Sequence, residues 1–177
     1  MGYLLRIICA SLLIFLSSSV IAQDKNIKAC RLALESYPIQ NYRIKLRPII
    51  TTDFSKLLKI AIHPSVISNM NVKIEPTLAK EFMETDLKNH LEVETKKNLL
   101  NTLYLVIADA QTDEPIGDVI LSVDSTNETL VPFASPPIFE LGISLHPDVW
   151  GKKIGSEAGK LIIDYVFTHS DIKTILV

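Results

Sequence analysis

The distribution of apolar and polar residues divides the chain into stretches of different period. From Ile7 to Ala22 there is no charge, and one cation, Arg6, precedes the run. As a helix this run would span roughly 24 Å, short of the ~30 Å core of a bilayer. It closes on Val20-Ile21-Ala22, small or branched side chains at the positions that signal peptidase reads. The expectation is a signal peptide over residues 1–22, followed by a leader over 23–43. A used signal implies a secreted or periplasmic protein, with membrane contact only through this segment if it stays uncleaved. A true start further downstream implies a cytoplasmic one.

Beyond the leader the period shortens to two. Ile44-Lys45-Leu46-Arg47 reads as a half-buried strand, ended by Pro48. Thr52 is placed to cap a helix that carries Leu57, Leu58 and Ala61 on one side, with Pro64 as its stop. From Pro76 to about Leu100 the helical period returns. Phe82, Met83, Leu87 and Leu91 form the apolar side, and Glu81, Glu84, Lys88 and Glu92 face water.

Tyr104–Ala108 and Ile116–Val123 then read as strands, and the short polar link between them predicts an antiparallel hairpin. Residues 124–137 form a polar loop, Ile138–Leu145 a strand, and Gly151–Gly155 a tight link. Ser156–Thr168 is helical, with Ala158, Leu161, Ile162, Tyr165 and Val166 in one stripe. Thr174–Val177 opens a last strand. The order β-α-α-β-β-β-loop-α-β predicts an α/β fold, a mixed sheet with helices on both faces.

Composition narrows the function. At 177 residues the chain holds one domain, and 47% apolar with 21% charged residues excludes wholesale disorder. Eighteen Lys and Arg against twenty Asp and Glu give a net charge of −2, so no nucleic-acid partner is expected. Cys9 falls in the candidate signal and Cys30 in the leader, which leaves no disulfide framework. His63, His90, His146 and His169 are dispersed, and His90 with Glu94 on one helix face makes no zinc site, so no metal is expected.

The chemistry concentrates between Phe139 and Gly159, where a strand leads through a glycine-bearing turn into a helix. A helix start presents unpaired N–H groups and the positive end of the dipole, which suit a phosphate or pyrophosphate. Glycine lets the backbone approach such an anion closely, and Lys152 and Lys153 add positive charge.

This segment resembles the acetyl-CoA-binding motif of the GNAT N-acetyltransferase superfamily. It is most similar to the Rim-type branch that acetylates ribosomal-protein N-termini and like amines. Glu140-Leu141-Gly142 matches the strand, Pro147, Trp150, Gly151 and Lys152 the turn, and Gly155, Ser156, Glu157 and Ala158 the helix start. Upstream, Ile44–Pro48, Asp53, Leu57-Leu58, Pro64–Val66 and Ile116-Gly117 follow the same branch, so the likeness spans about 44–177.

The resemblance implies a GNAT-like sheet in which acetyl-CoA lies between the strand ending at Leu145 and the strand beginning near Thr174. It implies cofactor contacts from Ile143, Leu145, Trp150, Gly151, Lys152, Lys153, Ile154, Gly155 and Ser156. A primary amine, on a small molecule or a protein N-terminus, attacks the thioester directly while a carboxylate takes its proton; Glu140 is the candidate base. Plainer roles stand beside these: Glu140 as a solvent-facing strand residue, Ser156 as a helix cap, Trp150 as packing. Lys153 stands where the family has glycine, and left-handed backbone there costs a lysine roughly 1–2 kcal/mol. The family's further helix and two strands have no counterpart before Val177, so the expected domain lacks its usual C-terminal part. The alternative function is a non-catalytic exported GNAT-derived domain that binds a protein partner.

Overall fold

The computed structural model describes residues 39–69, 76–96, 102–123 and 138–177. The candidate signal, nearly all of the leader with Cys30, and the loop at 124–137 lie outside the described residues, as does the side chain of Glu94.

Six strands form one sheet in sequence order. They are β1 (Ile39–Gln40), β2 (Ile44–Arg47), β3 (Thr102–Asp109), β4 (Pro115–Val123), β5 (Ile138–Leu145) and β6 (Thr174–Leu176). Neighbours run antiparallel except β5 and β6, which are parallel. The helices are α1 (Phe54–Ala61), α2 (Pro64–Asn69), α3 (Pro76–Lys96) and α4 (Ile154–His169).

The two-residue period of each strand sends alternate side chains to opposite faces. One face gathers Leu103, Leu105 and Ile107 of β3, Val119 and Leu121 of β4, and Phe139 and Leu141 of β5 against Ala158, Ile162, Tyr165 and Val166 of α4. The other packs Tyr104, Val106 and Ala108 of β3 against Leu57 of α1 and Leu87 of α3. Burial of a side chain such as Ile162 contributes roughly 2 kcal/mol. The α/β class with helices on both faces is therefore as the sequence predicts.

Several boundaries differ from expectation. β1 begins the sheet inside the stretch assigned to the leader, pairing Ile39 with Leu46. Thr52 does not cap α1; it lies in a 3-10 turn, Thr51–Asp53. Asp53 organises that corner, because its carboxylate accepts from the Ile50 N–H at 2.9 Å and from both Arg47 Nη atoms at 2.6 and 2.9 Å. This pairing holds the Arg47 guanidinium well above its ordinary pKa. Pro64 starts α2 rather than merely stopping α1, as suits a residue with no N–H to satisfy. On α3, Phe82 is 42% exposed, and Ala79 takes the packed position.

Gly117 fixes how β4 meets β5. A Cβ there would lie 2.2 Å from the Ser144 carbonyl oxygen and 2.7 Å from Leu145 Cδ2. Only glycine allows the approach, and it sets Gly117 opposite Leu145 and Asp118 opposite Ser144.

Candidate functional site

β6 runs beside only the first residues of β5, pairing Thr174 with Ile138, Ile175 with Phe139 and Leu176 with Glu140. Past Glu140, β5 has no strand on that side among the described residues. The His146 N–H donates to the Ile116 carbonyl at 2.9 Å. By alternation, the backbone groups of Leu141, Ile143 and Leu145 point along the free edge. The indole Nε1 of Trp150 donates to the last of these carbonyls, Leu145, at 2.8 Å.

A cavity of about 850 Å³ lies along this edge. Its walls are Ile143, Ser144 and Leu145 of β5, Trp150, the first turns of α4 at Gly155, Ser156 and Gly159, and Val66 and Asn69 of α2. Lys160 and Asp164 lie further along α4. Gly155 and Gly159 face β5 at van der Waals range: a Cβ at either would touch Leu145 or Ile143 at 3.4 and 3.5 Å.

The turn before α4 is wound for a helix start with free donors. Gly151 has φ +72° and Lys153 φ +65°. Lys153 is the N-cap and supplies no side-chain cap. Ser156 lies inside the helix, so it is not the cap the sequence allowed for. The N–H groups of Ile154, Gly155 and Ser156 belong to the first turn, where an α-helix leaves donors without intrahelical partners.

Arg43, from the β1–β2 turn, braces this loop. Its Nη2 donates to the Lys152 carbonyl at 3.0 Å, and its Nη1 meets Glu157 Oε1 at 2.5 Å. The Asn41 amide also donates to Glu157, at 3.3 Å. The Glu157 carboxylate in the first turn of α4 is thus held by a cation.

Of the residues named from sequence, Ile143, Leu145, Trp150, Gly155 and Ser156 line the cavity. Gly151, Lys152 and Lys153 form the exposed loop above it, and the Ile154 side chain turns into the core. Glu140 is exposed, sits opposite Ser122 on β4, and does not line the cavity. Val66 and Asn69 were missed, because α2 reaches the site only through the tertiary fold; Ser144 of β5 lines it beside Ile143 and Leu145. Among the described residues, no three His, Cys, Asp or Glu converge as metal ligands. His63 and His146 nonetheless meet edge to face, ring centroids 5.9 Å apart.

Residues 43–177 match the acetyltransferase (GNAT) domain family. The chain belongs to that family. GNAT enzymes use acetyl-CoA, and the free edge of β5, the glycine-spaced start of α4 and the cavity between them fit that co-substrate. The fold is also that of solved GNAT structures. A putative GNAT-family acetyltransferase from Bordetella pertussis superposes with TM-score 0.55 at 10% identity, over 78% of this chain and 76% of its own. RimL, a ribosomal L7/L12 alpha-N-protein acetyltransferase, gives 0.54 at 11%, over 78% and 69%. The microcin C7 self-immunity acetyltransferase MccE, solved with acetyl-CoA and AMP, gives 0.52 at 17%, over 76% and 68%. No curated protein matches the GNAT chain by sequence.

Proposed function

We propose that this GNAT domain transfers the acetyl group of acetyl-CoA to a primary amine by direct attack in a ternary complex. The observation that carries the reading is the cavity between the free edge of β5 and the start of α4, with a positive-φ loop at its mouth. In this reading the odd-numbered backbone groups of β5 hold the pantetheine arm. The N–H groups of Gly151 and of Lys153 to Ser156 receive the pyrophosphate, those of Trp150 and Lys152 being turned to the Pro147 and Val149 carbonyls, and the Lys152 and Lys153 side chains draw the anion in. Donors fixed in a strand need no reorganisation when negative charge develops on the thioester oxygen.

The acceptor side is the surface of α2 and of Ser144 that closes the cavity away from α4. The acceptor class is a primary amine, of a small molecule or of a protein N-terminus as in the Rim-type branch. Titration calorimetry of the full chain with acetyl-CoA tests the reading. Micromolar binding that is lost in Gly155→Trp supports it, since an indole at Gly155 fills the space beside Leu145. A folded chain that binds no acetyl-CoA overturns it.

A further inference from the structure

The free edge of β5 ends on a side chain. The Leu145 carbonyl points along that edge, as do the backbone groups of Leu141 and Ile143, but it already accepts from the Trp150 indole at 2.8 Å. A ligand lying along the edge finds no strand beside Ile143 among the described residues, and the Leu145 carbonyl taken.

The indole is held at two points. The Trp150 N–H donates to the Pro147 carbonyl and the Val149 N–H to the His146 carbonyl, each at 3.0 Å, so the 3-10 turn Pro147–Val149 fixes its backbone. The indole Nε1 fixes the ring, which lines the cavity and leaves Trp150 39% exposed.

The other end of the edge is the fork where β6 leaves β5. The last pair there is Leu176 with Glu140, and Val177, the next residue, lines the cavity together with Ile163 of α4. Gly155 faces Leu145 and Gly159 faces Ile143. The same stepping, four helical residues to two of the strand, sets Ile163 level with Leu141. From Leu145 to Leu141 the edge is roughly 13 Å long, bounded by an indole at one end and by two apolar side chains at the other.

An extended ligand with amide groups pairs with a strand edge in steps of two residues, roughly 7 Å, because alternate backbone groups point the other way. An edge with every group open admits several such registers, and an edge with one carbonyl taken admits fewer. We propose that the Trp150 indole is a register stop. By occupying the Leu145 carbonyl it confines the pantetheine arm to Ile143 and Leu141, which sets the thioester at the fork between Ile163 and Val177. This rests on the acetyltransferase reading, and Trp150 acts in it as a positioning residue. One step of slip draws the acetyl carbon back from the fork by far more than the ~1 Å that already slows a reaction about 100-fold. Two grips then place the cofactor, the loop N–H groups on its pyrophosphate and the shortened edge on its arm. A donor without phosphates relies on the second alone.

The test uses the full chain with acetyl-CoA and with S-acetylpantetheine, which has the arm and the thioester but no phosphate. The chain has one tryptophan, so its indole N–H gives a single NMR signal. In the wild-type protein that N–H is expected to exchange more slowly with solvent when either donor binds. The acetyl methyl should show nuclear Overhauser contacts to Ile163 and Val177. These two readings need no variant. In Trp150→Phe the Leu145 carbonyl is free. S-Acetylpantetheine should then bind about fivefold more tightly, the worth of one added hydrogen bond, with its methyl contacts moved to Ile143. Acetyl-CoA, held by its pyrophosphate, should keep its affinity within about twofold and its contacts at the fork. An indole with a purely structural role would instead weaken acetyl-CoA through the loop and leave the S-acetylpantetheine contacts where they were. That result, an indole N–H that exchanges faster once a donor binds, or S-acetylpantetheine binding to neither protein would overturn the stop alone. A folded wild-type chain that binds no acetyl-CoA overturns the acetyltransferase reading and the stop together.

Discussion

Arg43 and Glu157, 114 positions apart in sequence, meet at 2.5 Å, and the same guanidinium holds the Lys152 carbonyl at 3.0 Å. One side chain thus ties the β1–β2 turn both to the loop that opens α4 and to the first turn of that helix. Its planar fork makes the double contact possible, which a lysine cannot reproduce.

Arg43→Ala is therefore expected to weaken acetyl-CoA binding about tenfold while costing only about 1 kcal/mol of stability, because both partners are partly exposed. Arg43→Lys should restore the charge but not the affinity. Calorimetry beside thermal unfolding of the two variants checks this. Equal affinity in all three proteins would mean that the loop holds its shape unaided.

Lys153 pays a conformational cost at φ +65°. A left-handed residue with a Cβ is disfavoured by roughly 1–2 kcal/mol, part of which glycine returns through its freer unfolded chain. Lys153→Gly should stabilise the protein by about 1 kcal/mol, a rise in Tm of roughly 2–4 °C for a chain of this size. A fall in Tm would show that the lysine side chain makes a compensating contact.

Gly117 allows no such freedom. With a backbone oxygen 2.2 Å from its would-be Cβ, Gly117→Ala must push β4 and β5 apart. A loss of roughly 3 kcal/mol is expected, read as a lower denaturant midpoint. Gly142→Ala, with nothing within 4 Å, is the control and should change stability little.

Asp118 makes stability depend on pH. Its folded-state carboxyl is pushed from 3.8 to about 7, so the folded protein keeps its proton where the unfolded chain has lost it. Stability is accordingly highest below the unfolded value, falls as pH rises between about 4 and 7, and levels off above. The fall amounts to a few kcal/mol at roughly 1.4 kcal/mol per unit. Asp118→Asn should flatten this slope and be the more stable protein at pH 8, measured by urea unfolding at pH 5 and 8.

The sequence made much of this legible where a pattern is local. β5 has the predicted ends because an apolar run between turn residues leaves no other choice. α4 begins two residues ahead of expectation, since Lys153 accepts left-handed backbone and lets Ile154 enter the core. The cost at Lys153 could be foreseen from a missing glycine. What stayed hidden depends on register or on distant partners. β1 is too short to carry a period, and Thr52 lost its capping role to an Asp53 already claimed by Arg47. Asp118 is one acid in an apolar strand until its pairing with Ser144 assigns it a face.

That pairing has a wider consequence. β5 is a partition with two differently furnished rooms: odd-numbered Ile143 and Leu145 look towards α4, and even-numbered Gly142 and Ser144 towards α1 and α3. A slip of one residue would exchange the rooms, turning a serine towards α4 and a leucine towards the acid. The bare backbone of Gly117, too close to the neighbouring strand to admit even a methyl group, works as the latch that keeps each room on its own side.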